Sequence, residues 1–168
     1  MVFAGRERHA SARYNNWGYP SRALRTKDFL YIKNFRPERW PAGDPCAINN
    51  KGELEAMHSA YHDIDACPSW DFIVSNRDDR EIYAYFLKAA GKRPYEELYD
   101  ISSDPGCLHN LVGNGKCTEK LTNLRKEMDK LLKKTKDTRY LDNPAQDDIW
   151  ETYPRLSGAI RTFPAPLF

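Results

Sequence analysis

The sequence predicts an α+β fold: a small antiparallel sheet with a C-terminal amphipathic helix and long loops. Three observations carry that expectation. From Ser21 to Phe35, SRALRTKDFLYIKNF sets Ala23, Leu24, Phe29, Tyr31 and Ile32 around the polar pair Lys27-Asp28, with aromatic and β-branched residues on the second limb, the pattern of an antiparallel hairpin. Leu121, Leu124, Met128, Leu131 and Leu132 recur at helical spacing and form one apolar stripe. The 168 residues include 11 prolines, which interrupt regular structure often enough to require much irregular chain.

Taken in order, Val2 to Ala4 reads as a strand at the chain start. After the hairpin, RPERWPAGDP is a loop, because Pro37, Pro41 and Pro45 donate no ladder bond. Glu53 to Tyr61 is expected to form a short helix, ending before HDIDACPSW. In DDREIYAYFLKAAG, Asp78 precedes Glu81 by three residues, Ile82, Phe86 and Ala89 share helical spacing, and Gly91 terminates the run. Glu97 to Asp100 is a short strand that runs into a turn at Asp104-Pro105-Gly106, and Tyr99, Leu98 and Leu111 are expected to be structural. Thr118 is the expected cap of the C-terminal helix. Beyond Tyr140 there is no regular period, and the aromatics and prolines suggest a strap over the rest.

Composition narrows the function classes. Hydrophobic residues make up 40% and charged residues 30% of the chain, which is globular. The 26 basic and 24 acidic side chains leave a formal charge of +2, so no global field draws the protein to nucleic acid or anionic lipid. No stretch approaches the roughly 18–20 apolar residues of a membrane span, and Arg6 and Arg8 interrupt the start before a signal-peptide core forms. Cys46, Cys67, Cys107 and Cys117 lack CxxC spacing, which argues against a zinc knuckle or redox motif and leaves disulfides open.

Several constellations bear on chemistry. His58 and His62 are four apart, with Asp63 and Asp65 behind them; without a third supporting ligand, a solvated pair explains them better than zinc. Lys120, Lys126, Lys130, Lys133 and Lys134 read as a solvated helix face diluted by Glu119, Glu127 and Asp129. There is no Gly-rich phosphate loop, GxSxG elbow or HExxH. The most concentrated cationic feature is Arg6, Glu7, Arg8, His9 and Arg13, directly behind the first strand.

Three blocks, GRERHASARYNNWGYPSRALRTKDFLYIKNF, ELYDISSDPGCLHNL and DIWETYPRLSGAIRTFPAPL, together with the middle HDIDACPSWDFIVSNRDDREI, resemble the C-terminal region of bacterial sulfatases of the heparan N-sulfatase (N-sulfoglucosamine sulfohydrolase-like) type. The resemblance implies the C-terminal subdomain of an alkaline-phosphatase-like α/β sulfatase. It makes residues 1–18 the end of the large-sheet domain, 19–139 the C-terminal subdomain and 140–168 an irregular tail. It also implies a sulfated-glycan substrate, a periplasmic or extracellular location and, in the intact family enzyme, a formylglycine nucleophile and a calcium ion held by oxygen ligands. Neither is carried here. Gly18-Tyr19-Pro20-Ser21-Arg22 has glycine at the nucleophile position of the Cys/Ser-x-Pro-x-Arg motif, and Cys67-Pro68-Ser69 has proline directly after the cysteine. The chain is therefore expected to be a sulfatase C-terminal fragment, inactive alone, whose partner is an absent N-terminal catalytic domain.

Within that frame the first strand is expected to leave a large sheet near the substrate cleft, so that Arg6, Arg8 and His9 bind substrate, with His62 and Asp63 as a second, weaker pair. A stand-alone sulfated-carbohydrate-binding module built on Arg6 to Arg13 is the alternative. Elements shaped to meet a larger partner are also expected to leave an apolar patch at Val2, Phe3, Phe29 and Tyr31.

Overall fold

Four strands pair antiparallel in the order β1-β2-β3-β4: β1 (Val2–Arg6), β2 (Ser21–Arg25), β3 (Phe29–Asn34) and β4 (Glu96–Asp100). The computed structural model describes residues 1–141 and 162–165, so most of the expected strap and of the closing sequence block lies outside the described residues. The helices are α1 (Pro68–Ser75), α2 (Arg80–Ala90) and α3 (Thr118–Lys134). The fold is α+β, as the sequence predicts.

The chain divides into two compact units. The first contains Met1–Glu7, Pro20–Arg36 and residues 94–141, hence the whole sheet and α3. Its core follows from register. Phe3 faces Leu24, Leu24 faces Tyr31 and Tyr31 faces Leu98, so one apolar row crosses all four strands. Leu121, Leu124, Met128 and Leu132 of α3 are buried with that row. A fully buried side chain of this size contributes about 1.5–3 kcal/mol, so this seam is the main stabilisation of the unit.

This packing corrects the expected apolar patch. Tyr31 is buried and Phe3 and Phe29 are half-buried against the core, because α3 covers that face; only Met1 and Val2 of the region stay exposed, at 68% and 63%. Thr118 is the first residue of α3 rather than its cap, and its hydroxyl donates to the Gly115 carbonyl, while Cys117 holds the cap position.

Beside the apolar row runs a polar one, Gly5, Arg22, Lys33 and Glu96. Arg22 donates to Asp137 through Nε at 2.7 Å and Nη2 at 2.9 Å, and through Nη2 to Glu7 at 2.6 Å. Glu7 also accepts from Arg139 Nη2 at 2.7 Å, so one carboxylate serves two buried guanidinium groups. Glycine at position 5 is required by this arrangement: a Cβ there would lie 2.9 Å from Arg22 Cδ. At the other end of the row, Tyr31 and Arg125 both donate to Glu96. The Arg125 bonds, aided by Tyr31 and against burial, hold the Glu96 carboxyl below its ordinary range.

The second unit contains Arg8–Tyr19, Pro37–Arg93 and residues 162–165. Trp70 of α1 and Phe86 and Ala90 of α2 pack with Ala42 and Tyr61. Asp79, not Asp78, caps α2, accepting from the amides of Glu81 and Ile82, and Gly91 ends it. The helix expected over Glu53 to Tyr61 does not form. Asn49 Oδ1 accepts from the amides of Lys51 and Glu53, Ile48 bridges to Leu54, and the backbone turns left-handed at Gly52, His58 and Tyr61. α1 begins with proline at its first turn, where the missing N–H costs nothing. Phe163 is buried with Ala47 and Ala60, and Thr162 bridges to Ile48. No helix among the described residues is long and apolar enough to cross a membrane, and all four cysteines are free thiols.

Two outcomes are expected. Glu7→Ala leaves Arg22 and Arg139 without a shared buried carboxylate and lowers unfolding free energy in urea by about 3–5 kcal/mol, whereas Asp129→Ala, at an exposed position of α3, changes it by less than about 0.5 kcal/mol. Because the Glu96 pKa is depressed on folding, its contribution is present above the ordinary glutamate range and lost as pH falls through the folded value. Stability therefore declines on acidification through that range, and Glu96→Gln flattens the decline in a pH series of urea melts.

Candidate functional site

Directly after β1 the chain enters the second unit through an irregular segment, Arg8–Tyr19, held by side chains in place of ladder bonds. Arg13 is the anchor. Its Nε donates to the Trp40 carbonyl at 2.7 Å, and its Nη2 donates to the Pro41 carbonyl at 2.8 Å and to Asp63 Oδ2 at 2.6 Å. The side chains of Arg13 and Asp63 are only 1% and 3% exposed, so this ion pair is shielded from solvent and salt. Asp63 Oδ1 accepts from the Ala10 amide at 3.0 Å, tying its second oxygen to the same segment.

Asp44 adds a second tie. Its carboxylate accepts from the Tyr14 amide at 2.7 Å, and its own amide donates to the Ala12 carbonyl. Burial raises the Asp44 pKa, with the Tyr14 amide and the charges of Arg13, Arg39 and Lys92 opposing. Gly43, at φ +101°, lets the segments approach: a Cβ there would lie 2.9 Å from Ala12 Cβ and 3.0 Å from the His62 amide nitrogen. The turn at Tyr14–Asn16 places Asn15 and Asn16 in the left-handed region that asparagine tolerates. Arg39 donates to the Gly18 carbonyl and lies over the Trp17 ring at 4.6 Å.

The outer part of this scaffold carries His9 and Arg8. The His9 side chain is 67% exposed, with Nδ1 3.8 Å from Asp63 Oδ1. Arg8, half-buried, donates through Nη1 to the Asn16 carbonyl at 3.2 Å. Among the candidates drawn from sequence, Arg8, His9 and Asp63 thus come together. Asp63 is committed to Arg13 and the Ala10 amide, so its place is behind the site, supporting it. His62 packs its ring edge-on to Phe163, with centroids 6.1 Å apart. With no helix at this point, His58 and His62 do not share a helical face; His58 Nδ1 instead contacts the hydroxyl of buried Tyr61. Arg6 belongs to the first unit, at the exposed end of β1. That strand is the edge of a small antiparallel sheet, so the rule placing ligands at the carboxyl ends of parallel strands does not locate Arg6.

Sequence reasoning left out Asp44 and placed Arg13 only in the cationic cluster of the alternative module, as a ligand contact, whereas the structure buries it. Their signal is weak, since a buried arginine and an exposed one look alike in sequence. The calcium implied by the family resemblance finds no fitting donor set here: Asp63 and Asp44 spend their oxygens on a guanidinium and backbone amides, and among the described residues no group of three or more His, Cys, Asp or Glu converges.

Asp63→Ala is expected to lower unfolding free energy by about 3–5 kcal/mol, because it leaves the Arg13 charge buried and uncompensated. Asp65→Ala, an exposed neighbour, should leave the urea midpoint within error of the parent.

No protein-family model matches the chain. Over 111 residues, or 66% of its length, it is 32% identical to an ulvan-active sulfatase from Formosa agariphila, of which the match covers 16%. The chain thus spans about a sixth of the length of that relative. The match supports a sulfatase-family relationship for this chain, without singling out the heparan N-sulfatase type.

Proposed function

We propose that this chain is the C-terminal, substrate-holding region of a sulfatase that hydrolyses sulfate esters or N-sulfate groups of sulfated glycans. The observation that carries the reading is the exposed His9 beside the buried Asp63–Arg13 pair, with Arg8 on the same segment. The sulfatase relationship supplies the substrate class.

The chemistry follows from these groups. A sulfate presents oxygen acceptors and a fixed negative charge, which a guanidinium meets with a fork of donors. Arg8 supplies that charge and His9 supplies an N–H to a sulfate or sugar oxygen. Asp63 lies 3.8 Å from the exposed imidazole on its Nδ1 side, and Arg13 holds the Asp63 carboxylate in place. His62, in the same unit, is proposed as a further substrate contact, and Arg6, in the first unit, as one considered by itself. The nucleophile and calcium belong to the catalytic part of such an enzyme, for which this sequence has no Cys/Ser-x-Pro-x-Arg motif. The chain alone therefore holds substrate without hydrolysing it. Specificity of the heparan N-sulfatase kind, a periplasmic or extracellular setting, and the division at residues 18 and 139 are parts of the same proposal, resting on the resemblance of the sequence blocks.

The test is calorimetric titration of the full chain with a defined sulfated tetrasaccharide and its desulfated counterpart. A charge-assisted hydrogen bond contributes about 1.5–3 kcal/mol, so Arg8→Ala/His9→Ala should weaken the sulfated ligand by roughly ten- to a hundredfold with little change in Tm. Equal binding of parent and variant, or of the two sugars, overturns the proposal. Sulfate release from an aryl sulfate above a heat-treated control would overturn the claim that the chain alone is inactive.

A further inference from the structure

The outer face of α3 carries a row of lysines that the substrate site does not use. Leu121, Leu124, Met128 and Leu132 are buried and define the inner side of the helix. At 100° per residue, Lys126, Lys130 and Lys133 fall opposite them, with Lys134 adjoining, and all four are exposed. The row extends about 12 Å along the axis at 1.5 Å per residue. Lys130 has Glu127 at 3.8 Å, while among the described residues Lys126, Lys133 and Lys134 have no ion pair.

Helix physics alone does not account for the row. The macrodipole favours cations only in the last turn, which covers Lys133 and Lys134 and leaves out Lys126 and Lys130. Lys126–Lys130 and Lys130–Lys134 are like-charged pairs four residues apart; Asp129 is spaced to offset Lys126 and Lys133, yet among the described residues only Glu127, beside Lys130, comes within ion-pair range of the row. An extended polyanion laid along the face removes that repulsion. We propose that this row binds a sulfated polysaccharide chain, giving the protein a hold on polymer separate from the groups at Arg8 and His9. The choice of polyanion rests on the sulfatase reading. One feature favours it over nucleic acid: the exposed face, which carries Glu119 and Asn123 beside the lysines, has no aromatic side chain for base stacking.

The experiment measures binding of the full chain to dextran sulfate, neutral dextran and a DNA duplex of matched charge over a range of salt. Lys126→Gln/Lys130→Gln/Lys133→Gln should weaken dextran sulfate at least tenfold near 0.1 M salt. It should also reduce the slope of log affinity against log salt by about three, one per lost contact, with α3 helicity and Tm retained. The control Lys27→Gln/Lys51→Gln/Lys116→Gln, exposed lysines elsewhere, should bind as the parent does. The proposal is overturned if the parent does not bind, if the row variant binds as the parent, if the control loses as much, or if DNA binds as tightly as dextran sulfate. The row variant should leave tetrasaccharide binding unchanged. Loss of polymer binding in the row variant, with tetrasaccharide binding indifferent to Arg8 and His9, sinks the substrate-site reading and leaves the row standing.

Discussion

The buried pair of Arg13 and Asp63 is the constraint on which the candidate site depends. An irregular segment has few ladder bonds to hold it, and its conformational entropy favours release. Arg13 counters this by directing three donors at two carbonyls and one carboxylate on the facing loop. The remaining oxygen of Asp63 takes the Ala10 amide, so the bond network closes on the segment it anchors. Burying either ion without the other would cost several kcal/mol, which makes the two residues one structural unit in energetic terms.

The first unit solves a similar problem with the same chemistry. There Glu7 joins Arg22 and Arg139, and Asp137 closes the other side of Arg22. Burial pushes the Asp137 carboxyl up, and the bonds from Arg22 and from the Arg139 amide outweigh it, so the group sits below its ordinary range. The immediate partners are carboxylates on segments far apart in sequence: residue 7 at the end of a strand and residue 137 just beyond α3. Such networks confer specificity of assembly as well as stability, because a misplaced segment would strand a charge.

Legibility in the sequence followed the range of the interaction. The hairpin, β4 and α3 were readable because alternation and helical stripes are local signals, and the structure places Leu24, Tyr31, Leu98 and Met128 in one core accordingly. α1 was missed although Cys67-Pro68 and the apolar spacing of Trp70, Ile73 and Val74 were available cues. Over Glu53 to Tyr61 helix-compatible composition is overridden by turn chemistry, with Asn49 Oδ1 accepting from the amides of Lys51 and Glu53 and Gly52 at positive φ. At the site, Arg8 and His9 were legible as a local cationic burst. The supporting role of Asp63 was not, because its partner Arg13 is 50 positions away and nothing in the local pattern marks either as buried.

Burial also sorts the arginines into roles. Arg13, Arg22, Arg39 and Arg139 are sequestered, and each spends its donors on carbonyls or carboxylates within its own unit. Their positive charge is matched where it sits, so they add little to the field that a ligand would meet. The lysines of α3 stand at the other extreme, solvated and chiefly unmatched. Between these extremes stand Arg8, half-buried and donating to the Asn16 carbonyl, and His9, exposed and 3.8 Å from Asp63. A near-zero net charge therefore conceals an uneven distribution, in which the buried arginines are matched where they sit while exposed lysines gather along α3. With so small a net field, an anionic ligand is met by contact, with long-range attraction contributing little.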